Sequence, residues 1–114
     1  MITNRPSVFI YTVNVDDSDM IREICAGIEE EGLLYEIKRF YYGSIHELSF
    51  LAANESILGS GIGIEGKKIG LQLRSIPKGR DVFFIEKPTL SQCRKLGSNA
   101  ARAIKRVPFI DLTN

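Results

Sequence analysis

Two periodicities of apolar and polar positions divide this chain into eight segments. Ser7-Val8-Phe9-Ile10-Tyr11-Thr12-Val13 is β-branched and aromatic with little alternation, the pattern of a central strand covered on both faces. Ile21, Ile24, Cys25 and Ile28 then recur at helical spacing, with Ser18 as the expected N-cap and Gly32 as a left-handed stop. Leu33 to Phe40 reads as a second strand, so a βαβ unit with parallel strands and a right-handed crossover is expected. Tyr41-Tyr42-Gly43 is a turn, and Ser44-Ile45-His46-Glu47 matches a capping box. The helix behind it carries Leu48, Leu51 and Ala52, with Ile57 as a further candidate for its apolar side.

Ser60 to Ile64 is a third strand. Lys68 to Arg74 alternates, with Ile69, Leu71 and Leu73 on one face. The connection Glu65-Gly66-Lys67 is hairpin length, so this fourth strand should run antiparallel. Pro77 and Gly79 mark a loop, Val82 to Ile85 a fifth strand, and Thr89 to Gln92 a second capping box. The last helix should run from about Leu90 to Arg106, stopped by Pro108. The pattern predicts an α/β three-layer sandwich: a mixed five-stranded sheet with one antiparallel strand, flanked by helices, as a single domain over residues 1–114.

The first helix ends in Glu29, Glu30 and Glu31, beside the negative end of its dipole. Each carboxylate there costs about 0.3–1 kcal/mol when exposed. On a helical projection Glu30 points away from the apolar stripe, and Glu23 and Gly27 share that face. An exposed mid-helix glycine costs about 1 kcal/mol against alanine. Glu23, Gly27, Glu30 and Glu31 are therefore expected to form an outward acidic patch open to a close approach, suited to a metal or a basic partner. The bland alternative is a solvated glutamate face. The last helix sets Leu90, Cys93, Leu96, Gly97, Ala100, Ala101 and Ile104 on one stripe. Lys95, Asn99, Arg102 and Arg106 are expected on the opposite arc, with Arg94, Ser98 and Lys105 at its margin.

Bulk properties narrow the function. A chain of 114 residues with 44% hydrophobic and 25% charged residues is an ordinary single globular domain. A net charge of +1 offers no global field for nucleic acid or an anionic membrane, and no apolar run has the length of a membrane span. The N-terminal segment, Met1 to Asn14, lacks the pattern of a signal peptide. Cys25 and Cys93 fall on apolar stripes and read as small buried hydrophobes of a reducing compartment, so a cytoplasmic protein is expected. Gly61-Ile62-Gly63-Ile64-Glu65-Gly66 matches G-x-G-x-x-G, but a strand rather than a helix N-terminus follows it. The glycines read as strand and hairpin residues, and nucleotide binding by this chain is not expected. His46 is expected to be a surface residue without a partner. Glu29 and Glu30 point about 100° apart and do not converge as a catalytic pair.

Glu23-Ile24-Cys25-Ala26-Gly27-Ile28-Glu29-Glu30-Glu31-Gly32 resembles the first-helix signature of the small subunit of glycerol and diol dehydratase-reactivating factors. Leu96 to Phe109 resembles that family's C-terminal signature, and Leu51 to Ser56, the glycine-rich strand and Leu73 to Pro77 keep its order. The resemblance implies a five-stranded mixed sheet with one antiparallel strand. It also implies a non-catalytic subunit of an ATP-dependent, chaperone-like factor that releases damaged cobalamin from the dehydratase by subunit swapping. ATP or ADP would reside on a large, actin-like subunit, in a heterotetramer of two large and two small subunits, with the adenosylcobalamin-dependent dehydratase as a transient partner.

By the same resemblance, Glu30 aligns with the single glutamate that reaches a Mg2+ held by the large subunit. Glu23, Gly27, Glu29 and Glu31 would lie in the partner interface, and this chain alone would bind no cofactor. Glu29 or Glu31 takes the ligand role if the alignment slips by one. A bacterial microcompartment is a candidate address within the cytoplasm. Three rivals remain at this level: the cobalamin-contacting medium subunit of the dehydratase itself, whose chains are longer at the N-terminus; an RNA-binding module of the anticodon-binding-domain type; and a stand-alone enzyme, which the absence of a recognisable constellation disfavours.

Overall fold

A computed structural model describes residues 5–113. The elements are β1 (Ser7–Val13), α1 (Ser18–Glu30), β2 (Leu34–Phe40), α2 (Ile45–Glu55), β3 (Ser60–Glu65), β4 (Lys68–Leu73), β5 (Phe83–Glu86) and α3 (Leu90–Lys105). The sheet order is β2-β1-β3-β4-β5. β1 pairs in parallel with β2 and β3, and β4 pairs antiparallel with β3 and β5, so β4 alone runs against the rest. This is the predicted mixed sheet. The first four residues and Asn114, which the single-domain reading included, lie outside the described residues.

Alternation along the strands sorts side chains onto two faces. Val8, Ile10, Ile62, Ile64, Ile69 and Leu71 are buried beneath α1 and α3, where Ile24, Ile28, Cys93 and Leu96 meet them. Tyr11 and Val13 face the other way and pack with Leu48 and Ala52 of α2, flanked by Phe9 and Phe40. The glycine-rich motif serves this second contact. A Cβ on Gly61 would overlap the Ala53 amide nitrogen, and one on Gly63 would lie 2.7 Å from Ser49 N and 2.8 Å from Ile45 O. The two glycines bring the backbone of α2 onto β3, which is packing and not phosphate binding.

The ends of the helices follow local chemistry. Asp17, rather than Ser18, caps α1, its carboxylate accepting from Asp19 N at 3.0 Å. A carboxylate at this position gains over a hydroxyl from the helix dipole. At the other end Gly32 adopts φ +83° and its amide donates to Glu29 O, while Leu33 N donates to Ile28 O, a Schellman stop. Both predicted capping boxes are present, at Ser44 with Glu47 and at Thr89 with Gln92. Leu51 and Ile57, expected on the apolar side of α2, are 37% and 56% exposed, because α2 lies on the sheet through its alanine and Leu48 side. Leu90 is likewise exposed, since α3 meets the core only from Cys93 onward.

Candidate functional site

α1 and α3 lie side by side on one face of the sheet, and their contact is made by two glycines. A Cβ on Gly97 would overlap the Ile24 carbonyl oxygen, and one on Gly27 would overlap the Arg94 carbonyl and lie 2.7 Å from Ser98 N. Gly27 is buried. The expectation that it faces outward is therefore corrected: the surface that its missing side chain admits is α3 of the same chain. A projection from sequence places a residue relative to one apolar stripe, and α1 has two buried sides, one on the sheet and one on α3.

This close approach brings the basic margin of α3 against the acidic end of α1. Arg94 Nη1 reaches Glu23 Oε1 at 3.1 Å and its Nη2 reaches Glu30 Oε2 at 2.9 Å. Ser98 Oγ donates to Glu30 Oε1 at 3.1 Å and to the Gly27 carbonyl at 3.3 Å. Arg102 Nε lies 2.9 Å from Glu31 Oε2, and Lys105 Nζ 2.7 Å from Glu31 Oε1. The cations answer the unfavourable end of the α1 dipole that the sequence exposed. Hydrogen bonding from Arg94 holds the Glu30 carboxyl below the usual glutamate range, and hydrogen bonding from Lys105 does the same for Glu31.

The expected acidic patch is thus a charge-matched seam. Glu23 is half-buried on Arg94, and Glu31 retains 12% of its side-chain exposure. Glu29 is exposed. Glu30 is the carboxylate that is both oriented and open, with 46% of its side chain accessible. Among the described residues no three His, Cys, Asp or Glu side chains stand close enough to hold a metal ion together. Glu30 fits a shared Mg2+ site only as one ligand: each of its oxygens already accepts one hydrogen bond and keeps a lone pair free, and the hard oxygen donor suits the ion. Arg94 opposes a cation there, but Glu23 holds its second nitrogen and can carry the guanidinium alone.

Two polar sites were not readable from the chain. Asn99, expected on the outward arc of α3, is fully buried. Its amide donates to Ile110 O at 2.9 Å and its carbonyl accepts from Ile110 N at 2.7 Å, which ties the C-terminal segment over α3. His46 has a partner after all: Nδ1 lies 3.3 Å from Asp81 Oδ1, and the ring packs on Phe84. The Asp81 side chain is fully buried, accepts from Ser49 Oγ at 2.9 Å, and occupies the space above Gly70. Burial raises its pKa. The three side chains do not form a catalytic triad, because the serine and the histidine both address the aspartate and not one another. A signal for Asp81 was absent, since it follows a Pro/Gly loop whose path only the fold sets. Cys25 and Cys93 are free and buried, and burial raises both thiols, Cys93 to about 11.

Residues 5–110 match the family model described as dehydratase medium subunit. The chain belongs to that family. Within it, the chain is 32% identical over 110 residues to the propanediol dehydratase-reactivating factor small subunit of Salmonella typhimurium, covering 96% of this chain and 94% of that one. It is 30% identical over 112 residues to the diol dehydratase-reactivating factor small subunit of Klebsiella michiganensis, covering 97% and 89%. Its fold is similar to a solved glycerol dehydratase reactivase, with TM-score 0.90, 27% identity and coverage of 95% and 99%. It is also similar to a diol dehydratase-reactivating factor complexed with ADP and Mg2+, with TM-score 0.86, 28% identity and coverage of 93% and 98%. The resemblance first seen in the two helix signatures is that of this family, and those signatures form the α1–α3 seam.

Proposed function

We propose that this chain is the non-catalytic small subunit of a factor that reactivates a cobalamin-dependent glycerol or diol dehydratase. The observation that carries the reading is Glu30, held between Arg94 and Ser98 at the end of α1 with its carboxylate open to an incoming surface. A carboxylate fixed in this way offers a single hard ligand at little entropic cost, which suits a Mg2+ whose remaining ligands belong to a larger partner. In this reading the partner is the ATPase subunit, which carries ATP or ADP. Two large and two small subunits form the resting factor, and the small subunit leaves when the dehydratase's medium subunit takes its place. The protein acts in the cytoplasm, free or within a microcompartment. No helix among the described residues is long and apolar enough to cross a membrane.

The similarity to reactivating-factor small subunits along nearly their full length supports this reading over the dehydratase medium subunit itself. Against an RNA-binding module stands the use of α3's cations: Arg94, Arg102 and Lys105 are engaged by α1 and not presented to a phosphate backbone.

Co-expression with a candidate large subunit is expected to yield a stoichiometric complex on purification. Glu30→Gln should weaken that association and abolish its Mg2+ dependence. Equal capture of wild type and variant, with and without Mg2+, would remove Glu30 from the interface. Titration of the isolated chain with cobalamin should leave the visible spectrum of the cofactor unchanged, and a saturable shift would favour the dehydratase-subunit reading.

A further inference from the structure

The sheet ends in two edges of different length: β5 has four residues and β2 has seven. β2 pairs with β1 on its inner side only, and no other backbone bond reaches Leu34–Phe40 among the described residues. Most of the strand is exposed, including Leu34 at 44% and Ile37 at 40%. An open edge of this length is a template for another strand unless it is bulged, covered or charged against pairing. β2 carries charges, but their order favours pairing. The strand reads Leu34-Tyr35-Glu36-Ile37-Lys38-Arg39-Phe40, and its chemistry is complementary about its own centre, Ile37.

We propose that β2 is a homodimerisation edge, on which a second copy of this chain lays its own β2 antiparallel across a two-fold axis through Ile37, normal to the sheet. Opposed residues of an antiparallel pair share a face. Ile37 then meets Ile37, Glu36 meets Lys38 of the second copy, Tyr35 meets Arg39, and Leu34 meets Phe40. Each unlike pair occurs twice by symmetry. Lys38 lies along this face, its Nζ 5.2 Å from the Phe40 ring centroid and 5.8 Å from that of Tyr11 on β1, and it swings outward from these rings to meet Glu36 of the second copy. On the opposite face the Tyr35 phenol is raised by the neighbouring Cys25 and by burial, and last by Glu29, which adds negative charge where Arg39 of the second copy would arrive. One step beyond the strand, the same register sets Tyr41, 99% exposed, against Leu33 of the second copy.

The register is selected by charge. A slip of one residue opposes side chains of different faces and is not available to a continuous sheet. The next registers either side centre on Glu36 or Lys38 and bring like charges face to face. The result is a ten-stranded sheet running through both copies, with α1 and α3 on one side throughout. The ion pairs of Arg94, Arg102 and Lys105 across the α1–α3 seam take no part in the pairing.

Sedimentation of the full chain from micromolar to millimolar concentration is expected to show a monomer–dimer equilibrium. Glu36→Lys and Lys38→Glu, each alone, convert two attractive pairs into repulsive ones and should raise the dissociation constant by about tenfold or more. The double variant Glu36→Lys/Lys38→Glu should restore the wild-type constant, with circular dichroism confirming the fold of all three. Hydrogen exchange of the β2 amides should slow as concentration rises in wild type and the double variant alone. A monomer at every concentration overturns the proposal, as does a dimer indifferent to the single reversals or one that the double reversal fails to restore.

Discussion

The α1–α3 face and the α2 face of the sheet are built by the same device and treat charge in opposite ways. On both, glycine lets backbone meet backbone, Gly27 and Gly97 between the two helices, Gly61 and Gly63 beneath α2. On the first face the charges stand at the rim, where three cations of α3 meet three glutamates of α1. On the second, the Asp81 carboxylate is buried between Ser49 and His46, whose imidazole is its basic neighbour, while Glu55 and Glu65 accept from Tyr11 and from the Ile45 amide. Rim pairs cost little to desolvate and leave Glu30 oriented with 46% of its side chain accessible. A buried carboxylate fixes the packing of α2 on β4 and presents nothing outward. Charges that are oriented and wet can be reached from solvent without unfolding, which is why the proposed contact through Glu30 falls on the first face.

The harshest way to test the shared device is to fill it. Gly97→Val on one face and Gly61→Val on the other each place a side chain against backbone, and each should lower stability by about 3 kcal/mol, read from the urea midpoint at constant m-value. An unchanged midpoint for either would mean that its helix is not seated as described.

Removing the buried acid separates the faces. Asp81→Ala leaves Ser49 without its acceptor and should cost about 1–3 kcal/mol. Its pH dependence carries a sign. The folded pKa of Asp81 is raised by burial, so the stability of its neutral form is present below the unfolded value of 3.8 and lost as pH rises through the folded value. Glu30 and Glu31 are lowered, so their contribution is present above the unfolded value of 4.5 and lost as pH falls through the folded value. Asp81→Asn should therefore look better, relative to wild type, at neutral pH than in acid. Glu31→Gln should look worse at neutral pH. Denaturant titrations at both ends of the window would reveal matching trends if the two sites were alike.

Smaller effects sharpen the seam itself. Glu31→Gln, which removes the charge facing both Arg102 and Lys105, should cost about 0.5–1 kcal/mol and less in high salt. Glu30→Gln should change the urea midpoint by less than about 0.5 kcal/mol equivalent, while still impairing capture of a large subunit. A Glu30 variant that loses both stability and partner equally would make Glu30 a structural residue alone.

Much of this architecture is legible along the chain because it is local. The extent of β1, the two capping boxes, the Gly32 stop and the hairpin at Gly66 each follow from neighbours within a few residues. Glu30 was legible as a carboxylate sharing a helix face with Gly27, but that face meets α3 rather than solvent, and Arg94 and Ser98 hold it there. Gly27 was legible as a point of close approach but not as to which surface approaches. Asn99 and Asp81 were not legible at all, because the partner of the first lies 11 residues away in the C-terminal segment and that of the second 32 residues away on α2.

The order of residues by itself determined the eight elements, the single reversed strand and the family signatures, since periodicity, caps and turns act over short distances and tolerate no ambiguity of partner. The tertiary structure alone decided that α1 and α3 neutralise one another, that Glu30 stays open while Glu31 is enclosed, and that β2 lies at an edge. Those outcomes depend on which helices share a face of the sheet, and a one-dimensional pattern gives each helix a buried stripe without naming the neighbour that covers it.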